Sequence, residues 1–197
     1  MNRSSALFSS SLLTPLAALL CLLLAAQPAL ADKAEKQRNK VRNMRTEVLE
    51  RLYEEQPETR DIIAKAEGYG VFSNVGVNVI LFSAGGGNGI VVDNKSDAET
   101  FMNMASAGVG IGLGVKDFRA VFVFHSRNAL TNFVDKGWDF SGQADAAAKS
   151  TDKGVEGSAA GTIVNGVSVY QLTEAGLALQ ATLQGTKYWK SDKLNGS

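Results

Sequence analysis

The residue types that carry acid–base, nucleophilic or metal chemistry are few in this chain and stand far apart. His125 is the only histidine, so a site with two imidazole ligands cannot form within one molecule. It follows the apolar run Ala120 to Phe124 and precedes Ser126, a setting that reads as a histidine at a strand end. A Ser-His-Asp triad would need a strained elbow to present the serine, and no Gly-x-Ser-x-Gly occurs. Asp135, Asp139 and Asp145 could pair as acid and base, but their spacing suits solvated turns equally well. Asp93-Asn94-Lys95-Ser96-Asp97 offers oxygen ligands, yet Lys95 stands where a calcium loop needs another oxygen. Neither Gly85-Gly86-Gly87 nor the glycines from Gly108 to Gly114 have dinucleotide-fingerprint spacing, and no Gly-Lys-Ser/Thr is present. Gly85 to Gly87 reads as a hairpin turn. The expectation is a binding protein without catalytic residues, metal or cofactor.

The elements that would position any site begin with a leader. Arg3 is the only charge before position 32, an apolar run spans Leu12 to Ala26, and Ala29-Leu30-Ala31 supplies the small residues of a processing site. Residues 1–31 therefore read as a cleaved signal peptide, with a mature chain starting at Asp32 and an exported, periplasmic location, peripheral on a membrane. The single cysteine, Cys21, lies in the leader, so the mature chain has no disulfide or thiolate site. The 20 basic and 20 acidic residues balance, which argues against nucleic acid as a partner.

Composition divides the rest near position 67, because all 20 glycines lie from Gly68 onward. Residues 32–67 form an amphipathic helical segment: Val41, Met44, Val48 and Leu52, joined by Leu49, share one stripe of a helix over Asp32 to Tyr53. A second short helix is expected to start at Pro57, to run through Ile62, Ile63 and Ala66, and to end on a left-handed cap at Gly68. Residues 68–190 read as a β domain with strands at Val71–Ile80, Gly89–Val92, Thr100–Val115, Ala120–Phe124, Trp138–Ala148, Thr162–Leu172 and Leu177–Leu183. A short helix over Asn128 to Phe133 would turn Leu130 and Phe133 inward, and residues 191–197 form a tail. The fold class is α+β, with helices leading into a curved, largely antiparallel glycine-rich sheet or barrel.

Two patterns could bind a ligand. In Gly108-Val109-Gly110-Ile111-Gly112-Leu113-Gly114-Val115 the alternation puts Gly108, Gly110, Gly112 and Gly114 on one face of a strand, leaving bare backbone. That face suits close packing by another element or a groove for a flat amphiphile. The second pattern is charge. Lys33, Lys36, Arg38, Lys40, Arg42 and Arg45 face only Glu35, while Thr46 to Asp61 holds six acids against Arg51 and Arg60. Bases first and acids last oppose the helix dipole, so Lys36, Lys40 and Arg42 beside Val41 and Met44 could rest on an anionic phospholipid surface. Docking of the same stripe on the sheet is the alternative.

These pieces occur in an order that resembles the SYLF-domain family. Ala64-Lys65-Ala66-Glu67-Gly68-Tyr69-Gly70-Val71-Phe72 looks like that family's opening. Gly85 to Gly89 with Ile90-Val91-Val92 follows, then the Gly110 to Gly114 strand with Asp117 and Val121 to Phe124. Gly142-Gln143-Ala144-Asp145-Ala146, Tyr170, Gly176-Leu177 and Gly185 complete the set. Ser73 stands where the family usually has proline, and Gly112 where many members have glutamine. The resemblance implies non-enzymatic lipid binding, which in eukaryotic members means phosphoinositides and in some cases actin. For an exported chain it implies phospholipid or another envelope amphiphile, with an envelope protein as the alternative partner.

Overall fold

The computed structural model describes residues 14–79, 82–109, 117–139, 162–164, 166–174, 176–177 and 185–196. Helix α1 (Thr14–Glu55) leads, then α2 (Thr59–Lys65), β1 (Gly68–Val79), β2 (Phe82–Asp93), β3 (Glu99–Val109), β4 (Phe118–Phe124), α3 (Arg127–Lys136), β5 (Trp138–Asp139), β6 (Thr162–Val164), β7 (Val167–Thr173), β8 (Gly176–Leu177), β9 (Thr186–Lys190) and α4 (Asp192–Asn195). The nine described strands form one curled antiparallel sheet in the order β5-β9-β3-β2-β1-β4-β7-β6, with β8 beside β7. This is the α+β fold expected. Among the described residues no helix is long and apolar enough to cross a membrane.

Strand alternation gives the sheet two faces, and each buries an apolar cluster. On the inner face Phe72, Phe122, Phe124, Met102, Met104 and Tyr188 pack with Leu130 and Phe133 of α3. Phe72 meets Phe122 edge-on at 5.4 Å and Tyr188 at 4.9 Å, arrangements that suit the ring quadrupoles. Helix α3 starts at Arg127, one residue before the expected Asn128, because Ser126 caps it, its hydroxyl accepting the Ala129 N–H at 3.3 Å. On the outer face Val71, Val121, Val123, Tyr170 and Leu172 pack against Val48, Leu52 and Ile63 of α1 and α2. Ile90, Val92 and Phe101 meet Val41 and Leu194. The amphipathic stripe is thus docked on the sheet.

Several local expectations are corrected. Gly85, Gly86 and Gly87 are not a turn; they lie mid-strand in β2, paired with Gly76, Val75 and Asn74 on one side and Ser106, Ala105 and Met104 on the other. Glycine is needed there for close approach. A Cβ on Gly89 would lie 2.3 Å from the Phe72 ring, and one on Gly85 would lie 2.6 Å from the Ser106 hydroxyl. Gly68 is not a left-handed cap but the first residue of β1, with a Cβ position 2.4 Å from the Val92 carbonyl. Asn94 closes α2 instead, donating to the Ile63 and Ala66 carbonyls at 2.7 and 3.0 Å. Helix α2 begins at Thr59, two residues beyond Pro57.

The run Thr162–Leu172 is two strands, β6 and β7, that pair with each other across a turn holding Gly166 at φ 75°. Strand β9 falls outside every run the sequence suggested. Residues 191–197, expected to be a tail, include α4, whose Leu194 is buried. Asn195 completes that contact: its amide oxygen accepts the Phe101 N–H at 2.9 Å and its NH₂ donates to the Phe101 carbonyl at 2.6 Å.

Candidate functional site

Helix α1 crosses the strands rather than running along them. In its C-terminal half Arg42 and Arg45 bond Glu99 of β3, and Arg51 near its end donates to the Thr173 carbonyl of β7 at 2.6 Å. It therefore covers two cross-strand rows of the outer face and leaves the next rows open. The covered rows are Val123-Tyr69-Val92 and Tyr170-Val121-Val71-Ile90-Phe101, read from the register. The next row is Leu172-Arg119-Ser73-Asn88-Asn103-Trp189: Leu172 of β7 is buried under the helix, and the other five, one each from β4, β1, β2, β3 and β9, lie beyond it. The row after it is Val75-Gly86-Ala105-Lys187.

This open face is poor in side chains and carries the two large apolar groups most exposed among the described residues, Val75 at 60% and Trp189 at 39%. Space above Gly86 is free, since a Cβ there would meet nothing nearer than the Met104 carbonyl at 3.8 Å. Ser73, Asn88 and Asn103 are half-buried, and no side-chain hydrogen bond of theirs occurs among the described residues. Arg119 uses one guanidinium nitrogen on the Phe118 carbonyl at 3.3 Å. Lys187 forms an exposed ion pair with Asp139 at 2.9 Å. Such a pair holds little energy and yields readily to a stronger anion. The face is amphiphilic and cationic at its two ends.

The residues singled out in the sequence lie elsewhere. Val41 is buried between α4 and the sheet, and Met44 packs against both outer clusters. Arg42 sits between Glu35 and Glu99 at 2.9 and 2.8 Å, and its charged form is further secured, first by Glu99. Arg38 takes up Glu35 and the Leu194 carbonyl, so Arg38 and then Arg42 hold the Glu35 carboxyl below its usual value. Lys40 is exposed, and the exposed Lys36 reaches Asp32 at 2.8 Å. Because α1 begins at Thr14, the basic run lies inside the helix rather than in its first turn, and its charges are answered by carboxylates from α1 itself and β3 and by the C-terminal carbonyls. Gly108 pairs with Ser83 and has the parity of Ser106 and Met104, on the inner face. Gly110, Gly112 and Gly114 lie outside the described residues, as does Asp145.

The inner face continues beyond its aromatic cluster as a small polar set. Ser106 donates to the Asn74 carbonyl oxygen at 2.9 Å, and both side chains are buried above Gly85. Full burial pushes the Tyr188 hydroxyl well above its ordinary pKa, against a hydrogen bond with Thr186 that lowers it.

The aspartate turn is an ion-pair hub. Arg127 bonds Asp93 with both terminal nitrogens and reaches Glu67 at 3.2 Å, while Lys95 reaches Glu67 at 2.8 Å. The Arg127 hydrogen bond holds the Asp93 carboxyl well below the carboxylate range, helped by the Lys95 and Ser96 N–H groups. No cluster of three metal-ligating side chains occurs among the described residues. Beside the hub, a cavity of about 190 Å³ opens over Val91, Thr100, Leu130 and Val134. That is below the size usual for a small-molecule pocket. His125 accepts or donates a 2.7 Å hydrogen bond with Ser168, and partial burial lowers its pKa. Asp135 and Asp139 face Lys190 and Lys187 rather than each other.

The open row was missed because its members stand on five separate strands and only register joins them. The available signal was Thr186-Lys187-Tyr188-Trp189-Lys190, whose alternation places Tyr188 inward and Trp189 outward.

No protein-family model matches the chain. Over 156 residues it is 31% identical to a curated protein of Aeromonas veronii, beta cell expansion factor A. The alignment takes in 79% of this chain, which spans 58% of the length of that relative.

Proposed function

We propose that this chain is a non-catalytic binding module of the bacterial envelope that lays its open outer sheet face on phospholipid or a related amphiphile. The observation that carries the reading is the exposure of Val75 and Trp189 on one face bordered by Arg119 and Lys187. Tryptophan suits a membrane interface, with an apolar ring and one polar N–H, and arginine and lysine answer anionic headgroups. The resemblance to the SYLF-domain family supports lipid as the partner. The leader supports export, and the relative's name, a factor for expansion of beta cells, fits a protein released by its bacterium. The helix α1 contributes by holding the sheet in shape, and membrane contact passes to the sheet face.

Co-sedimentation with vesicles tests this. Two cations near an anionic surface contribute about 1 kcal/mol each, so Arg119→Gln with Lys187→Gln should weaken binding to phosphatidylglycerol vesicles about thirty-fold. Lys36→Gln with Lys40→Gln should leave it within about twofold, because those lysines stand on α1 and outside the open row. Equal recovery on neutral and anionic vesicles, or loss of binding in the α1 pair alone, would remove the reading.

A further inference from the structure

The open row has a feature that membrane contact alone does not use. Its three central members, Ser73, Asn88 and Asn103, are neutral, point to the same side and spend no side-chain hydrogen bond on the protein among the described residues. Each amide offers two donor hydrogens and a carbonyl with two acceptor sites, and the serine hydroxyl offers both roles. Neighbouring strands are about 4.8 Å apart, so the row from Arg119 to Trp189 runs roughly 19 Å along the curl of the sheet. One end is an exposed indole face and the other a guanidinium with four of its five N–H groups still to place. In the row behind it, Val75-Gly86-Ala105-Lys187, the two middle members are small, so a broad ligand can settle between Val75 and Lys187.

We infer that this row binds a run of pyranose sugars. Sugar hydroxyls both donate and accept, which matches amides and a hydroxyl that must do the same. The polarised C–H face of a sugar ring fits the electron-rich face of Trp189. A carboxylate or phosphate substituent on the glycan would lie at the Arg119 end, where a guanidinium can grip two oxygens. A fatty chain would waste the amides, leaving them desolvated without partners. The glycan reaches the face either as the headgroup of a glycolipid or as a free oligosaccharide. The inference rests on the face proposed above as the binding surface and names the headgroup it reads.

The test uses the mature protein and four probes: the free core oligosaccharide released from lipopolysaccharide, phosphatidylethanolamine vesicles with and without lipopolysaccharide, and phosphatidylglycerol vesicles. The wild type should bind the free oligosaccharide and favour the lipopolysaccharide-bearing vesicles over the plain ones. Asn88→Ala with Asn103→Ala, both half-exposed positions, should lower both affinities at least about tenfold while binding to phosphatidylglycerol vesicles persists. Trp189→Phe should retain part of the sugar binding that Trp189→Ala loses. Binding of phosphatidylglycerol vesicles without any affinity for the oligosaccharide overturns the sugar assignment and leaves the membrane reading standing. Oligosaccharide binding that the paired asparagine substitution does not change overturns it too. Oligosaccharide binding lost in that variant, with no vesicle binding at all, upholds the sugar row and removes the membrane.

Discussion

Replacing Leu52 with alanine asks whether α1 belongs to the folded core. Leu52 is wholly buried, among Val48, Ile63, Val71, Val121, Val123, Tyr170 and Leu172. The change removes three carbons, worth about 0.8 kcal/mol each in transfer from water. Walls drawn from two helices and three strands cannot all collapse inward, so a cavity penalty adds to this and the loss is about 3 kcal/mol. With a urea dependence of about 2 kcal/mol per molar, the unfolding midpoint should fall by about 1.5 M at unchanged slope. Glu50→Ala on the exposed side of the same helix should move it by no more than about 0.25 M. If the two variants prove indistinguishable, α1 is no part of the cooperative unit and its stripe is free to bind something else.

Glycine positions give a paired prediction: Gly89→Ala should cost about 2 kcal/mol through the Phe72 ring, and Gly86→Ala should be neutral or stabilising by up to about 1 kcal/mol. Thermal melts of the two variants check the contrast. Acid titration examines the ion-pair hub, because the Asp93 carboxyl is lowered in the folded chain. Its contribution is complete above the unfolded value of about 3.9 and is lost as pH falls toward the lower folded value. The stability gap between wild type and Arg127→Gln should therefore be level from about pH 8 to 5 and narrow below about 4. Ser126→Ala should remove the α3 cap and about 1 kcal/mol, seen as a lower urea midpoint.

Periodicity revealed whatever a single element decides. The stripe Val41-Met44-Val48-Leu52 marked a helix and its buried side, and Leu130 with Phe133 marked another. Glycine misled the reading where its reason was tertiary: Gly85 to Gly89 looks like a turn until Phe72, Asn74 and Ser106 are seen to need the room. Gly166, by contrast, does turn the chain, and the dipeptide Asn165-Gly166 is a hairpin signal that the apolar runs Ile163-Val164 and Val167 onward hid inside an apparent long strand. The charge pattern of α1 was visible, but its partners Glu99 and the Leu194 carbonyl lie 54 or more positions away. The open row is harder still. Arg119, Ser73, Asn88, Asn103 and Trp189 are unremarkable singly and become a surface only when five strands fall into register.

Tryptophan fluorescence addresses the binding face most directly, since the chain has two tryptophans and they differ in setting. Trp138 packs against Phe122 and Phe133 in the inner cluster, whereas Trp189 lies exposed on the outer face. Adding lipopolysaccharide-bearing phosphatidylethanolamine vesicles should shift the emission to shorter wavelength and protect it from an aqueous quencher, and Trp189→Phe should abolish both effects. Sedimentation of the wild type with those vesicles while its emission and quenching stay unchanged would contradict the account, because the ligand would then be held by a surface other than this one.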